Sequence, residues 1–266
     1  MTAGGATASL GDAPSAEMLS VQDLRRSFGG VQAVAGASFG ILRGRITGLI
    51  GPNGAGKSTT LDMIAGATRP SSGHVLFEGR DVTGQPAYQR ARHGIIRTFQ
   101  ASSEFARLTV MENLLVAAPR LRGDGLLPVL LGKWYWQQEE REVVERARQL
   151  LSRFELVDKE DEYAGNLSGG QKRLLEIMRG LMAEPKVLLL DEPMAGVNPS
   201  LARRIEALLI ELNQEGLTMI MVEHELGTVE RVCDSVVVMA DGRVLREGNM
   251  AELRRDREVL DAYLIG

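Results

Sequence analysis

The sequence predicts an α/β fold, a phosphate-loop core built on a parallel sheet and interrupted by a strongly helical middle. Three observations carry that expectation. The apolar run Ile46-Thr47-Gly48-Leu49-Ile50 leads into Gly51-Pro52-Asn53-Gly54-Ala55-Gly56-Lys57-Ser58, and residues 58–65 can open a helix. A second apolar run, residues 187–190, ends in the carboxylates Asp191 and Glu192. Helix-forming sequence follows, then a third apolar run at Thr218–Val222. Strand–loop–helix and then strand–helix–strand is the order that a parallel sheet with crossover helices requires.

The elements follow in order. Residues 1–16 are rich in Ala, Gly, Ser and Thr and read as a disordered tail. The N-terminal stretch has no Lys or Arg and no long apolar segment, so it lacks the parts of an export signal. Strand-like stretches fall at 19–24, 31–39, Ile46–Ile50 and, after the turn Pro70-Ser71-Ser72-Gly73, at 74–77. From about Leu108 the pattern turns helical. Val143, Ala147, Leu150, Leu151 and Phe154 recur at helical spacing within residues 134–154. Further helices fit 170–182, ending before Pro185, and 201–213. Ser235–Ala240 and residues 243–247 form a hairpin across Asp241-Gly242. The expected organisation is a single domain over 17–266 with no internal repeat. Its core takes 17–100 and 185–250, the helical part about 101–184, and a C-terminal helix about 250–266.

Composition narrows the function classes. At 266 residues with 44% hydrophobic content, the chain can bury a substantial core. Its net charge of −4 gives no global pull towards nucleic acid. Cys233 is the only cysteine, so no intrachain disulfide can form, and it reads as a small apolar residue beside a strand. No apolar run approaches the ~18 residues of a membrane span. Any work at a membrane is therefore expected to pass through a partner.

The residues from Gly51 to Ser58 match G-x-x-x-x-G-K-[ST]. Glycines let backbone N–H groups approach a polyphosphate, and the helix start adds a favourable dipole. Lys57 would reach the β/γ-phosphates and the Ser58 hydroxyl would ligate Mg²⁺. At the carboxyl end of a parallel strand, Asp191 would face the nucleotide as an Mg²⁺-associated carboxylate. Glu192 could then act as general base on water; a solvated strand-end charge pair is the plainer alternative. Leu167-Ser168-Gly169-Gly170-Gln171 offers a second anion nest at a helix start. One triphosphate has little use for two nests unless the second serves a neighbouring molecule's nucleotide. An ordinary helix cap and linker would give the same pattern.

Together these motifs resemble the nucleotide-binding subunits of ATP-binding cassette (ABC) transporters. In family order stand GPNGAGKST from Gly51 to Thr59, Gln100 in IRTFQ, LSGGQ from Leu167, LLLDEP from Leu188 and VEH from Val222. The resemblance spans residues 18–266. It implies an N-terminal antiparallel β-subdomain, an inserted helical subdomain, and ATP with Mg²⁺ as ligands. It also implies that Gln100 contacts Mg²⁺ and the attacking water, that His224 contacts the γ-phosphate, and that Phe28 stacks on adenine. The LSGGQ segment and His224 separate this family from phosphate-loop kinases. Asn198 departs from the commonest family pattern, which has Asp there; Asn keeps hydrogen bonding but carries no charge.

Local features resemble the ATPases of branched-chain amino acid importers: Ile95-Ile96-Arg97-Thr98-Phe99-Gln100, Leu108-Thr109-Val110-Met111-Glu112-Asn113, Val222-Glu223-His224, and residues 195–199 and 259–264. Many of that subgroup carry an aromatic where this chain has Gly169, and related importers handle urea or short amides. The resemblance implies an ATPase driving uptake of amino acids or similar small polar solutes. It would work as a homodimer or heterodimer on integral membrane permeases, with a solute-binding protein as indirect partner and no nucleic acid. Its place would be cytoplasmic, peripheral on the inner face of the membrane. The alternative is a soluble ABC ATPase acting on nucleic acid or ribosomes, a class that typically has two cassettes or a coiled-coil insertion. Trp134, Tyr135 and Trp136 are expected in helix packing, and Arg90, Arg92 and Arg97 on a solvated face. His74 and His93 lack partners at metal-ligand spacing.

Overall fold

The computed structural model describes residues 17–98, 105–119 and 134–265. The expected tail over 1–16 and Gln100 lie outside the described residues. The strands are β1 (Glu17–Phe28), β2 (Val31–Leu42), β3 (Ile46–Ile50), β4 (Ser72–Phe77), β5 (Arg80–Asp81), β6 (Ile95–Arg97), β7 (Val187–Asp191), β8 (Thr218–Val222), β9 (Ser235–Ala240) and β10 (Arg243–Gly248). They form two sheets. A small antiparallel one has the order β2–β1–β4–β5, and a larger one β10–β9–β3–β8–β7–β6. In the larger sheet β9, β3, β8, β7 and β6 run parallel, and β10 adds an antiparallel edge. This is the expected α/β fold with a parallel core sheet and an N-terminal antiparallel unit.

The helices are α1 (Lys57–Ala65), α2 (Ala87–His93), α3 (Val110–Ala117), α4 (Trp134–Arg153), α5 (Gly169–Met182), α6 (Pro199–Gln214), α7 (Leu226–Val232), α8 (Met250–Leu253) and α9 (Arg257–Ile265). None is long and apolar enough, among the described residues, to cross a membrane. Helix starts follow local chemistry. Thr109 and Glu112 close a reciprocal capping box on α3, and Ser168 and Gln171 close another on α5.

Why β3, β7 and β8 read as unbroken apolar runs follows from what covers them. Successive side chains of a strand point to opposite faces. Val187 and Leu189 pack with the small sheet and α1, in a core that includes Leu19, Val34 and Ile64. Leu188 and Leu190 pack on the other face with α3 to α6, against Leu114, Leu151, Met178 and Leu209. Both faces are dry, as is usual for a parallel sheet. The β9–β10 turn also follows its sequence. Asp241 and Gly242 both take positive φ, +47° and +73°, the pair of left-handed residues that a two-residue hairpin turn needs.

Two expectations are corrected. β1 and β2 run well beyond 19–24 and 31–39, because several register shifts between them break the simple alternation that marks strands in sequence. Arg90 and Arg97 are not on a solvated face. Arg90 is 1% exposed and donates to the carbonyls of Met63 and Ile64 at the end of α1, and to those of Gln85 and Thr83. Its guanidinium satisfies orphan carbonyls of the helix end. Arg97 sits inside an ion-pair cluster described below.

Candidate nucleotide-binding site

The site opens where β3 ends. Gly51, Gly54 and Gly56 take φ of +149°, +81° and +93°. At two of these positions no side chain could fit. A Cβ on Gly51 would lie 2.0 Å from the Met239 carbonyl oxygen, and one on Gly56 would lie 2.4 Å from that of Ala33. The loop turns into α1 with no side-chain cap. The first N–H groups of a helix have no intrahelical partner, so this end is open to an anion. Lys57 is buried, and its Nζ donates to the carbonyls of Gly51 at 2.8 Å and Pro52 at 2.9 Å. Burial lowers the lysine's pKa, while the charges of Glu192 and Asp191 act to raise it. A cavity of about 400 Å³ lies over the loop, lined by Val31, Gln32, Ala33, Asn53 to Thr59, Glu192 and His224.

The strand ends β7 and β8 supply the far wall. His224 Nε2 lies 2.8 Å from Glu192 Oε1. Glu192 itself has φ +48°, uncommon for a residue with a side chain, and its N–H is held by the Val222 carbonyl at 2.9 Å. A carboxylate beside an imidazole, across a hollow from an ammonium and a helix start, can handle both a proton and a phosphate oxyanion.

Asp191 lies one residue back. Its Oδ2 accepts from Arg97 Nη2 at 2.9 Å, and Arg97 Nη1 pairs with Asp62 Oδ1 on α1. Asp191 Oδ1 is buried and, among the described residues, has no hydrogen-bond partner. Buried carboxylate oxygens are seldom left unpaired, and a hard oxygen of this kind suits a divalent cation or its bound water. The exposed Ser58 hydroxyl, at the first turn of α1, offers a second hard oxygen.

Two residues at this site were not singled out by sequence. Arg97 looked like one of several surface arginines, since its partners Asp62 and Asp191 are 35 and 94 positions away. Glu223 is buried and accepts N–H bonds from Met194 at 3.0 Å and His224 at 3.3 Å. Burial raises its pKa. A charged residue directly after the apolar β8 run was the available signal.

The remaining candidates stand apart. Ser168, Gly169, Gly170 and Gln171 do not line the cavity. Ser168 Oγ accepts from the Gln171 N–H at 3.3 Å, and Gln171 Oε1 accepts from the Ser168 N–H at 2.9 Å. A Cβ on Gly169 would meet open space, whereas one on Gly170 would meet Leu201. Phe28 ends β1, pairs in register with Val31 of the cavity wall, and is 46% exposed with the Arg26 guanidinium 4.7 Å from its ring centroid. It is therefore no core aromatic. Asn198 caps α6: its Oδ1 accepts from the Leu201 N–H at 2.9 Å, with Pro199 at the first helical position. Asn and Asp cap helices about equally well, which makes the departure at this position locally neutral.

A glycine loop between a buried strand and an uncapped helix, facing strand-end carboxylates, defines a phosphate-loop nucleotide-binding protein. The chain belongs to the ABC transporter family, whose model matches residues 34–195. It is similar to the probable branched-chain amino acid transport ATP-binding protein LivG of Archaeoglobus fulgidus, 39% identical over 93% of this chain and 95% of that one. It is also similar to the high-affinity branched-chain amino acid transport ATP-binding protein BraF of Pseudomonas aeruginosa, 36% identical over 93% and 97%. Among solved structures it resembles a nucleotide-free ATP-binding cassette from an ABC transporter, with TM-score 0.81 and 36% identity over 93% of this chain and 98% of that one. The ADP conformation of such a cassette matches with TM-score 0.80. The chain is thus an ABC-type ATPase that binds ATP, a subunit of the kind that works with membrane permeases.

Proposed function

We propose that this ATPase powers an importer of branched-chain amino acids or similar small polar solutes, and that the Glu192–His224 pair performs hydrolysis at the Lys57 loop. The 2.8 Å contact between those two side chains on the far wall of the cavity supports that reading most directly. The glycine loop from Gly51 to Gly56 and the N–H groups at the start of α1, through Ser58 and Thr59, bind phosphate oxygens. The Lys57 ammonium neutralises β/γ-phosphate charge. Glu192 accepts the proton of the attacking water, and His224 holds a γ-phosphate oxygen and orients Glu192. Ser58 and Asp191 Oδ1, with Gln100, are the groups that would hold Mg²⁺. When bound, that ion neutralises charge on the β- and γ-oxygens. Phe28 stacks on the adenine at the open edge of the cavity.

Two such subunits, identical or related, close head-to-tail so that each Ser168-Gly169-Gly170-Gln171 helix start caps the other's nucleotide. A glycine helix start that faces open space at Gly169, apart from the cavity, supports this arrangement. Closure is transmitted to integral permeases through the surface near Gln100–Glu112, on the cytoplasmic face of the membrane, with a solute-binding protein delivering the cargo. The solute class rests on the relatives' names and on the resemblance of the segments 95–100 and 108–113.

The test is uptake of radiolabelled leucine by cells whose only copy carries Glu192→Gln. Uptake is expected to fall to the level of a deletion while the purified variant still binds ATP. Uptake at the wild-type rate would overturn the reading.

A further inference from the structure

Two members of the ion-pair cluster behind the loop, Arg97 and Asp62, have no part in the roles assigned so far. Arg97 is only 12% exposed at its side chain, yet both ends of its guanidinium are taken by carboxylates. One is Asp191, at the end of β7. The other is Asp62 on α1, four residues after Ser58 and therefore on the same face of that helix. One planar fork thus ties the helix that presents Ser58 to the strand that presents Asp191. The same side chain leaves Asp191 with one oxygen occupied and the other, Oδ1, buried and without a partner among the described residues. Arg97 is also backbone-anchored: β6 pairs with β7 with Arg97 opposite Leu189, and the Thr98 N–H donates to the Leu189 carbonyl at 3.0 Å.

We propose that Arg97 is a positioning residue for the divalent cation: by bridging Asp62 and Asp191 it sets the spacing between Ser58 and Asp191 and turns Asp191 Oδ1 towards the cation. The inference rests on the reading of Asp191 as the cation's carboxylate. Charge alone does not account for the arrangement. A guanidinium directs N–H groups from two nitrogens of one rigid plane at two carboxylates at once, whereas a lysine ammonium is a point charge on a flexible stem. Outer partners that orient ligands typically change metal affinity by 10–100-fold when removed.

The experiment titrates Mg²⁺ into purified protein holding a fluorescent ATP analogue, beside a binding curve for the same analogue in EDTA. Arg97→Lys is expected to bind the analogue in EDTA as wild type does, because the loop and Lys57 are untouched. Its apparent Mg²⁺ affinity is expected to fall by about tenfold. Asp62→Asn is isosteric but trades an ion pair for a bond from the guanidinium to a neutral acceptor, and a loss of about threefold is expected. Wild-type Mg²⁺ affinity in Arg97→Lys overturns the proposal. Should Arg97→Lys fail to fold, wild-type affinity in Asp62→Asn overturns it instead. Asp191→Asn separates the two readings. If it too keeps wild-type Mg²⁺ affinity, the assignment of Asp191 fails; if only the Arg97 and Asp62 variants do, the positioning role fails alone.

Discussion

Glu223 Oε1 accepts the Met194 N–H at 3.0 Å, fastening the end of β8 to the chain that follows Glu192. Its other oxygen takes the N–H of His224 at 3.3 Å. One buried carboxylate therefore sets the relative position of the two side chains that meet over the loop.

Replacing Glu223 with alanine strands two backbone N–H groups. The expected cost is about 2 kcal/mol of stability, with ATP hydrolysis falling further than the lost folded fraction explains. Chemical denaturation paired with a hydrolysis assay reads both. Burial raises the Glu223 pKa, so the folded chain holds a proton there more tightly than the unfolded chain. Stability from this group is complete below the ordinary glutamate range and is lost as pH rises through the raised value. Wild type should gain on Glu223→Gln in mildly acidic buffer and lose ground in alkaline buffer. A pH-independent difference would contradict this.

Lys57 is held by two loop carbonyls, and among the described residues no other ammonium lines the cavity. Lys57→Ala should abolish binding of a fluorescent ATP analogue while the melting temperature stays near wild type. Unchanged affinity would mean that the loop binds something else.

The shared-site arrangement can be tested by complementation. Ser168→Arg blocks the nest donated to a partner but leaves its own Lys57 loop whole. Mixed with Lys57→Ala subunits, it should form one site with a good loop and a good nest, and one site with both defects. ATPase activity of the mixture should exceed that of either variant alone. No recovery, although heterodimers form, would place the nest within its own chain or couple the two sites obligately. Full-rate hydrolysis by a monomer would end the idea.

Cys233 offers a test of the core. Burial pushes its thiol up to about 12, and its sulfur sits where a side chain on Gly48 would come within 3.1 Å. Thiolate is the reactive form, so the native protein should resist a thiol-specific chromogenic reagent at neutral pH and react promptly once unfolded. Fast reaction in the native state would show that Cys233 does not pack against Gly48 of β3.

What the sequence disclosed depended on how locally each feature is encoded. The phosphate loop is legible because eight consecutive residues carry its geometry, and the dryness of β7 is legible because both its faces need apolar side chains. Capping and hairpin signals such as Thr109/Glu112 and Asp241-Gly242 are equally local. Arg97 and Arg90 were not, because an arginine buried against carboxylates or helix carbonyls looks like any surface arginine until distant partners are brought to it. The lengths of β1 and β2 were missed for a similar reason. Bulges reset the alternation, and only the paired strand reveals that the run continues.

The hairpin tip at Gly242 reaches back to the small sheet. Its carbonyl accepts the Ala35 N–H at 2.7 Å, and a Cβ on Gly242 would lie 2.9 Å from the Ala33 oxygen. The strand that leads into that tip, β9, passes so close to Gly51 that the Met239 carbonyl excludes any side chain there. The wall bearing Val31 and Ala33 and the floor bearing the glycine loop are thus two jaws of one calliper, with the hairpin as its fixed frame. On the proposed placement of base and phosphates, the distance between their two seats is set by backbone contacts rather than by side-chain rotamers.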